Sequence, residues 1–138
     1  ELAKELAGDG EGAQRLIEVT VEGAQTMSEA RVSAREIVSS LLVKAMVHGR
    51  DPNWGRLVMA LGKSGINIDE SKLDIFISDI HIVHEGIAIP YYRDAVISAM
   101  GNDEIKFRIA LNIGDHSATA WGCDLTEEYV IFNSAYST

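Results

Sequence analysis

The chain has 138 residues, of which 46% are hydrophobic, and this is enough for one domain with a closed core. Its formal net charge of −9 disfavours a nucleic-acid partner, because phosphate backbones are themselves anionic. The single cysteine, Cys123, excludes an internal disulfide and fits the reducing cytoplasm, and the absence of any run of about 18 apolar residues argues against a membrane partner.

The first part of the chain predicts a strand between two helices. A short helix over residues 1–7 ends at the glycines of "GDGEG", and the alternating residues of "RLIEVTVEG" then predict a half-buried strand. A capping box at Thr26 and Glu29 starts a long helix that is predicted to end at Gly49 in a left-handed turn. The apolar stripe of this helix is formed by Ala34, Ile37, Val38, Leu41, Leu42 and Ala45.

The segment "VHGRDPNWGR" (Val47–Arg56) predicts a very short connection to a second helix. Asp51 before Pro52 is typical of a helix start, and Gly62 and Gly65 are placed to end the helix. We interpret the segment as a structural corner with Trp54 anchored in the core. Two of its residues are also candidates for contact with another subunit, namely Arg50 and Arg56.

The second part of the chain is richer in strands. The segments "LDIFISD", "IHIVHEGIAIP", "EIKFRIALNIG", "SATAWGCDL" and "YVIFNSA" predict strands, and residues 92–99 predict a short helix that ends at Gly101. Helices and strands alternate without a regular βαβ rhythm. We therefore predict an α+β fold in which helices pack on a mixed, largely antiparallel sheet.

Several motifs with chemical meaning are incomplete. The "GKS" at residues 62–64 lacks the upstream glycine of a phosphate-binding loop and closes a helix instead of opening one. His81 and His84 lie three residues apart on a strand and should point to opposite faces, so no metal site is predicted. Cys123 is interpreted as a small hydrophobic residue and not as a nucleophile.

Three polar residues are candidates for ligand binding. Glu11 lies among glycines, where a backbone can approach a ligand closely, and Asn133 and Thr138 lie at the C-terminal end. Each also has a simpler explanation, since Glu11 can cap a turn, Asn133 can close a strand and Thr138 can fray. The alternative function is accordingly an acidic structural or interaction domain without a ligand.

Four stretches are distinctive in combination: "DGEGA" (Asp9–Ala13), "LVKAMVHGRDPNWGR" (Leu42–Arg56), "AWGCDLT" (Ala120–Thr126) and the ending "YVIFNSAYST". They resemble the C-terminal part of the ornithine acetyltransferase family, the bifunctional glutamate N-acetyltransferases of arginine biosynthesis. Their order and spacing agree from Asp9 to Thr138, although "QR" follows "DGEGA" where threonine–lysine is more usual in the family.

The resemblance implies a multifunctional acyltransferase that needs no metal or organic cofactor. Family members are precursors that cleave themselves before a threonine, and the new N-terminal threonine of the β chain is the nucleophile. It takes acetyl from N-acetylornithine, releases ornithine and passes the acetyl group to glutamate, and some members also accept acetyl-CoA. Two α and two β chains assemble into a heterotetramer.

The resemblance assigns this chain to the C-terminal portion of the β chain, because the nucleophile and the α chain are missing and Glu1 does not match the β-chain start. Residues 1–25 would belong to the nucleophile-bearing domain and residues 26–138 would form a C-terminal α+β domain with a substrate-binding tail. The chain alone is expected to be inactive. The resemblance gives Glu11, Asn133 and Thr138 a role in substrate binding and not in bond breaking.

Overall fold

The computed structural model describes residues 15–124, which form four α-helices, one 3₁₀ turn and six β-strands. The strands are β1 (Leu16–Ala24), β2 (Asp74–Ile77), β3 (Ile80–His84), β4 (Ile87–Ala88), β5 (Glu104–Ala110) and β6 (His116–Cys123). The helices are α1 (Met27–Ser39), α2 (Leu41–His48), α3 (Gly55–Lys63) and α4 (Arg93–Ala99), and the 3₁₀ turn is Glu70–Lys72. The helix predicted over residues 1–7 and the strand predicted at "YVIFNSA" lie outside the described residues.

The six strands form one sheet in the order β4-β3-β2-β5-β1-β6. Strand β1 pairs in parallel with β5, and the other pairings of the sheet are antiparallel. This confirms the predicted α+β fold with a largely antiparallel sheet. Residues 16–24 form an inner strand of this sheet, and the proposed domain division after residue 25 stays a prediction.

The sheet has one apolar and one polar face, as the alternation in the sequence predicted. On β1, Ile17, Val19 and Val21 are fully buried in a core that also contains the apolar side of α1. Burial of each such side chain stabilises the fold by about 1.5–3 kcal/mol. The opposite side of the sheet, which we call the polar face, carries Glu18, Thr20, Glu22, Phe76, Arg108, Thr119 and Trp121.

Cross-strand pairs connect the side chains of the polar face. The indole Nε1 of Trp121 donates to Glu18 Oε1 at 3.0 Å, and the hydroxyls of Thr20 and Thr119 lie 2.8 Å apart. Arg108 Nη1 donates to Glu22 Oε1 at 2.8 Å. Such pairs contribute roughly 0.2–1 kcal/mol each and fix the register of neighbouring strands.

Within residues 15–124, no helix is long and apolar enough to cross a membrane.

The prediction of a single long helix from Thr26 to Gly49 is wrong, because the helix is interrupted at Ser40. Ser40 has an extended backbone, and its hydroxyl accepts a hydrogen bond from the Val43 N–H at 3.3 Å, which caps a new helix. Consequently Leu41 and Leu42 of the predicted stripe are exposed, whereas Val43, Met46 and Val47 are buried. Thr26 is confirmed as the N-cap, since its hydroxyl accepts from the Glu29 N–H at 3.0 Å, whereas the Glu29 carboxylate accepts from the Asn67 N–H at 3.0 Å.

The left-handed residue that follows α2 lies one position later than predicted, at Arg50 and not at Gly49. Gly49 has a right-handed backbone (φ −85°), and Arg50 occupies the left-handed position (φ 51°). The Asp51 N–H donates to the Met46 carbonyl at 2.8 Å and the Arg50 N–H to the Val47 carbonyl at 3.1 Å, which is the hydrogen-bond pattern of a Schellman motif. A left-handed non-glycine residue costs about 1–2 kcal/mol, so other contacts must hold Arg50 there.

The start of α3 also differs from the prediction. The helix begins at Gly55 and not at Pro52, so Asp51 is not its N-cap, and Trp54 precedes the helix without a side-chain capping bond. Trp54 is half-buried and packs against the core, as expected for the anchor of the corner. The predicted end of the helix is confirmed at Gly65, which has φ +77°, but Gly62 lies inside the helix and does not end it.

The prediction that His81 and His84 point to opposite faces of the sheet is wrong. Phe76 pairs with His81, but Ile75 pairs with Val83, so Ile82 is an extra residue in a β-bulge. The bulge shifts the alternation by one position, and both Ile82 and Val83 are therefore buried in succession. As a result the two imidazole rings lie together on the polar face, with their centroids 5.3 Å apart.

Candidate functional site

The two ends of the described chain meet at Arg15 and Asp124. The Arg15 N–H donates to Asp124 Oδ1 at 2.8 Å, and the Asp124 N–H donates to the Arg15 carbonyl at 2.9 Å. The guanidinium Nε of Arg15 lies 3.4 Å from Asp124 Oδ2, and the Asp124 side chain is only 3% exposed. Residues 1–14 and 125–138 therefore join the described fold at adjacent points.

The Arg15 guanidinium also binds the ends of two helices. Nη1 donates to the Met100 carbonyl at 2.5 Å, and Nη2 donates to the carbonyls of Val47 at 2.7 Å and His48 at 3.3 Å. These carbonyls lie at the C-terminal ends of α4 and α2, where helix dipoles favour a cation. We call Arg15, Asp124 and these three carbonyl groups the Arg15 clasp.

The segment "VHGRDPNWGR" contributes directly to the Arg15 clasp. It supplies the carbonyls of Val47 and His48, and the His48 ring Nδ1 lies 3.7 Å from Asp124 Oδ2. The side chain of Arg50 lies against Gly101, where an added Cβ would be 2.9 Å from the guanidinium Cζ. The segment is therefore more than a turn between helices, because it helps to hold both ends of the described chain.

Next to the clasp, Lys44 on α2 meets Cys123, the last residue of β6 before Asp124. Lys44 is buried, and its ammonium donates to the Cys123 carbonyl at 2.7 Å. Burial raises the pKa of the Cys123 thiol; the Lys44 ammonium opposes this change and the Asp124 carboxylate adds to it. A raised pKa keeps the thiol protonated near neutral pH, which agrees with the interpretation of Cys123 as a non-nucleophilic residue.

Arg56, the other arginine considered for a subunit contact, donates from Nη1 to the Leu42 carbonyl at 3.3 Å. This bond ties the start of α3 to the start of α2 across the corner. The contact of Arg50 or Arg56 with another subunit stays a prediction.

A second polar group lies at the opposite end of the sheet, around Asp74. Its carboxylate accepts hydrogen bonds from the Glu85 N–H at 3.0 Å and the Asn112 amide at 3.2 Å, and Oδ1 lies 2.8 Å from His84 Nδ1. Burial alone would raise the pKa of Asp74, but these hydrogen bonds outweigh it and hold the pKa below its ordinary value.

The three substrate-binding residues predicted from the sequence, Glu11, Asn133 and Thr138, lie outside the described residues. Sequence reasoning missed Arg15 and Asp124, although Asp124 stands in the quoted stretch "AWGCDLT". A charged residue directly before one apolar strand and directly after another is a signal that could have drawn attention to the pair. Glu11 stands four positions before Arg15, and Asn133 stands nine positions after Asp124.

Comparison with known proteins gives one consistent result. A sequence model of the ArgJ family matches residues 1–138. The arginine biosynthesis bifunctional protein ArgJ of Symbiobacterium thermophilum is 46% identical over 137 residues, which cover 99% of this chain and 34% of that protein. The ArgJ of Bacillus cereus is 42% identical over 138 residues, which cover 100% of this chain and 34% of that protein.

A solved structure shows the same fold. The crystal structure of the arginine biosynthesis bifunctional protein ArgJ from Bacillus halodurans superimposes with a TM-score of 0.89 at 40% identity. The match covers 98% of this chain and 64% of that chain. The chain thus spans about a third of the length of the curated relatives that it matches.

Proposed function

This chain belongs to the ArgJ family, and we propose that it is the C-terminal portion of a glutamate N-acetyltransferase of arginine biosynthesis. The complete enzyme would move acetyl from N-acetylornithine to glutamate in the cytoplasm. The support is that the relatives are arginine biosynthesis bifunctional proteins and that they match along the whole of this chain. The nucleophilic threonine would lie outside this chain, in a heterotetramer of two α and two β chains produced by self-cleavage.

The proposed reaction has two acyl transfers. The threonine hydroxyl attacks the acetyl carbonyl of N-acetylornithine, the C–N bond breaks, and the leaving amine takes a proton as ornithine departs. The amine of glutamate then attacks the acetyl ester, which gives N-acetylglutamate and restores the hydroxyl. Neither transfer requires a redox change or an organic cofactor.

The role that we assign to this chain is to bind the amino-acid end of the substrate. The carboxylate of Glu11 suits an ammonium group, and the amide of Asn133 and the hydroxyl of Thr138 offer both donors and acceptors. Hydrogen bonds to charged groups are worth roughly 1.5–3 kcal/mol each. A substrate held at that end presents its acetyl carbon to the nucleophile in a fixed orientation.

The observation that carries this assignment is the Arg15 clasp. It joins the segment that contains Glu11 to the segment that contains Asn133 at one point of the fold. Four extended residues span at most about 14 Å and nine residues about 32 Å, so the chain length allows both side chains to reach a common ligand. Because the clasp is tied to two helix ends, it would also fix the direction in which both segments depart.

The test uses the complete enzyme, assembled with every chain that its precursor yields. Ornithine release and N-acetylglutamate formation are measured for wild type, Glu11→Gln and Asn133→Ala. We expect each substitution to lower kcat/KM by roughly 10- to 100-fold, which corresponds to the loss of one charge-assisted hydrogen bond. Glu70→Gln is the matched control, because Glu70 is an exposed glutamate in the 3₁₀ turn, and it should leave both constants unchanged.

Two outcomes would refute parts of the proposal separately. Unchanged kinetic constants in both variants would remove the binding role of Glu11 and Asn133. An assembled protein without any acetyl transfer would favour the alternative, an acidic structural or interaction domain without a ligand. The intact masses of the same sample test the self-cleavage, which requires a second chain that begins with threonine.

A further inference from the structure

We propose that Asp74, His81 and His84 form a binding site for one divalent transition-metal ion of the zinc type. The three side chains lie together on the polar face, and their ligand atoms are all within 4.8 Å of one another. Two imidazoles and one carboxylate form a donor set that suits zinc and its neighbours in the first transition row. The inference does not depend on the proposed acetyl transfer.

The two distances from Asp74 to the histidine nitrogens are close to those that a tetrahedral ion needs. Asp74 Oδ1 lies 3.5 Å from His81 Nε2 and 2.8 Å from His84 Nδ1. Zinc bonds of about 2.0–2.1 Å in tetrahedral directions place ligand atoms about 3.3 Å apart. The His81 distance already fits, and the His84 ring would withdraw by only about half an ångström as its hydrogen bond to Asp74 is replaced by a metal bond.

Neighbouring groups hold each of the three ligands in position. The His81 ring stacks on Phe76 with centroids 4.2 Å apart, and the Glu85 N–H and the Asn112 amide orient the Asp74 carboxylate. The second ring nitrogen of His84, Nε2, lies 3.1 Å from Glu85 Oε1. A carboxylate on the far nitrogen of a ligating histidine fixes its tautomer and raises its basicity, as in many zinc sites.

One atom of the cluster is not explained without an ion. His81 Nε2 is shielded from solvent, and within the described residues it has no hydrogen-bond partner of acceptable geometry, although Asp74 Oδ1 is 3.5 Å away. A buried polar atom without a partner typically costs about 1–3 kcal/mol. Capping of the turn after β3 accounts for Asp74 and His84 but leaves this atom unsatisfied, whereas a metal ion satisfies all three groups.

The position of the cluster points to a role other than acetyl transfer. Asp74 pairs with Ala110 at one end of β5, whereas the Arg15 clasp adjoins Glu104 at the other end. Six residue steps along a strand separate the two by about 20 Å. An ion bound by β2 and β3 would clip these two strands together near the free edge of the sheet, where β4 has only two residues.

Zinc binding by the complete protein tests the site. The protein is freed of metals with a chelator and titrated with ZnCl2 by calorimetry, and its thermal unfolding is recorded with and without zinc. We expect one zinc ion per copy of this chain at micromolar concentration and a higher Tm in its presence. Asp74→Asn and His84→Ala should each weaken this binding at least 10-fold and remove the Tm shift.

Two further variants keep the test decisive. His81→Phe removes the ligand atom but preserves a ring to stack on Phe76, so it should fold and still lose zinc. His116→Ala is the matched control, because His116 also lies near an aspartate, Asp115, at 3.6 Å but belongs to β6 at the far edge. No zinc uptake by wild type, uptake unchanged in His81→Phe, or uptake lost equally in His116→Ala would each overturn the proposal.

Discussion

The two ends of the sheet use charged side chains in opposite ways. At one end, the Arg15 clasp surrounds a guanidinium with one carboxylate and three backbone carbonyls, and the Arg15 and Asp124 side chains are only 13% and 3% exposed. At the other end, Asp74 collects donors from several elements, but the buried Nε2 of His81 lacks a hydrogen-bond partner among the described residues. A cluster whose charged groups have hydrogen-bond partners positions the chain, whereas a cluster with an unpartnered buried nitrogen is suited to bind a ligand.

The largest effect that tests this comparison is expected from Arg15→Met in the complete protein. The substitution removes the cation and leaves Asp124 buried beside unpaired helix-end carbonyls. Loss of one partner of a buried ion pair typically costs about 3–5 kcal/mol, so the free energy of unfolding should fall by that amount. The measurement is urea-induced unfolding followed by fluorescence and circular dichroism.

Arg108→Met is the control for Arg15→Met. Arg108 also pairs with a carboxylate, Glu22 at 2.8 Å, but the pair lies on the polar face with both side chains more than a third exposed. Exposed ion pairs contribute about 0–1 kcal/mol, and the Arg108 guanidinium also lies 3.7 Å from the Phe76 ring centroid, a contact worth about 0.5–1 kcal/mol. The control should therefore lose at most about 2 kcal/mol, less than Arg15→Met. Equal losses in the two variants would mean that the clasp is an ordinary surface pair, and its proposed positioning role would fail with it.

A smaller effect is expected at the glycine beside the Asp74 end of the sheet. Gly23 has φ +71°, and a Cβ there would lie 2.7 Å from the backbone nitrogen of Asn112, the residue that donates to Asp74. Gly23→Ala should therefore destabilise the protein by at least about 1–2 kcal/mol, the cost of a left-handed alanine, with steric displacement of Asn112 in addition. Thermal unfolding measures the loss, and an unchanged Tm would show that the turn can move freely.

Most of the fold was predictable from the sequence because its signals are local. Alternation of apolar and polar residues located β1, β2 and β5, since a strand repeats every two residues and one face of the sheet is buried. The capping box at Thr26 and Glu29 is likewise a short-range feature, and it located the start of α1 correctly.

The features that the sequence did not reveal depend on contacts with distant residues or on two helical patterns that overlap in the sequence. The extra residue of the bulge at Ile82 becomes visible only when β3 is aligned with β2. The break at Ser40 moves the buried face to Val43, Met46 and Val47. Because Leu41 and Leu42 also continue the apolar stripe of the preceding helix, the periodicity alone could not show the break. Arg15 and Asp124 are 109 positions apart, and no local pattern couples them.

The candidate site was predicted less completely than the fold. Glu11, Asn133 and Thr138 were assigned by resemblance to a family, and they stay predictions because they lie outside the described residues. The described structure adds the group that connects their two segments, the Arg15 clasp. The zinc site was missed for a physical reason, since strict strand alternation places His81 and His84 on opposite faces and only the bulge reunites them.

The smallest expected effect is at the glycine beside the Arg15 clasp and has the opposite sign to that of Gly23. Gly49 precedes the left-handed Arg50 but itself has φ −85°, and an added Cβ would lie 3.4 Å from the Ala45 carbonyl, an ordinary contact. Gly49→Ala should therefore stabilise the protein by about 0.4–1 kcal/mol, because alanine has less backbone freedom to lose on folding. A rise in Tm for Gly49→Ala with a fall for Gly23→Ala would show that the clasp end tolerates a side chain where the Asp74 end does not. A fall for both would instead mean that the corner after α2 requires a left-handed Gly49, as the sequence first predicted.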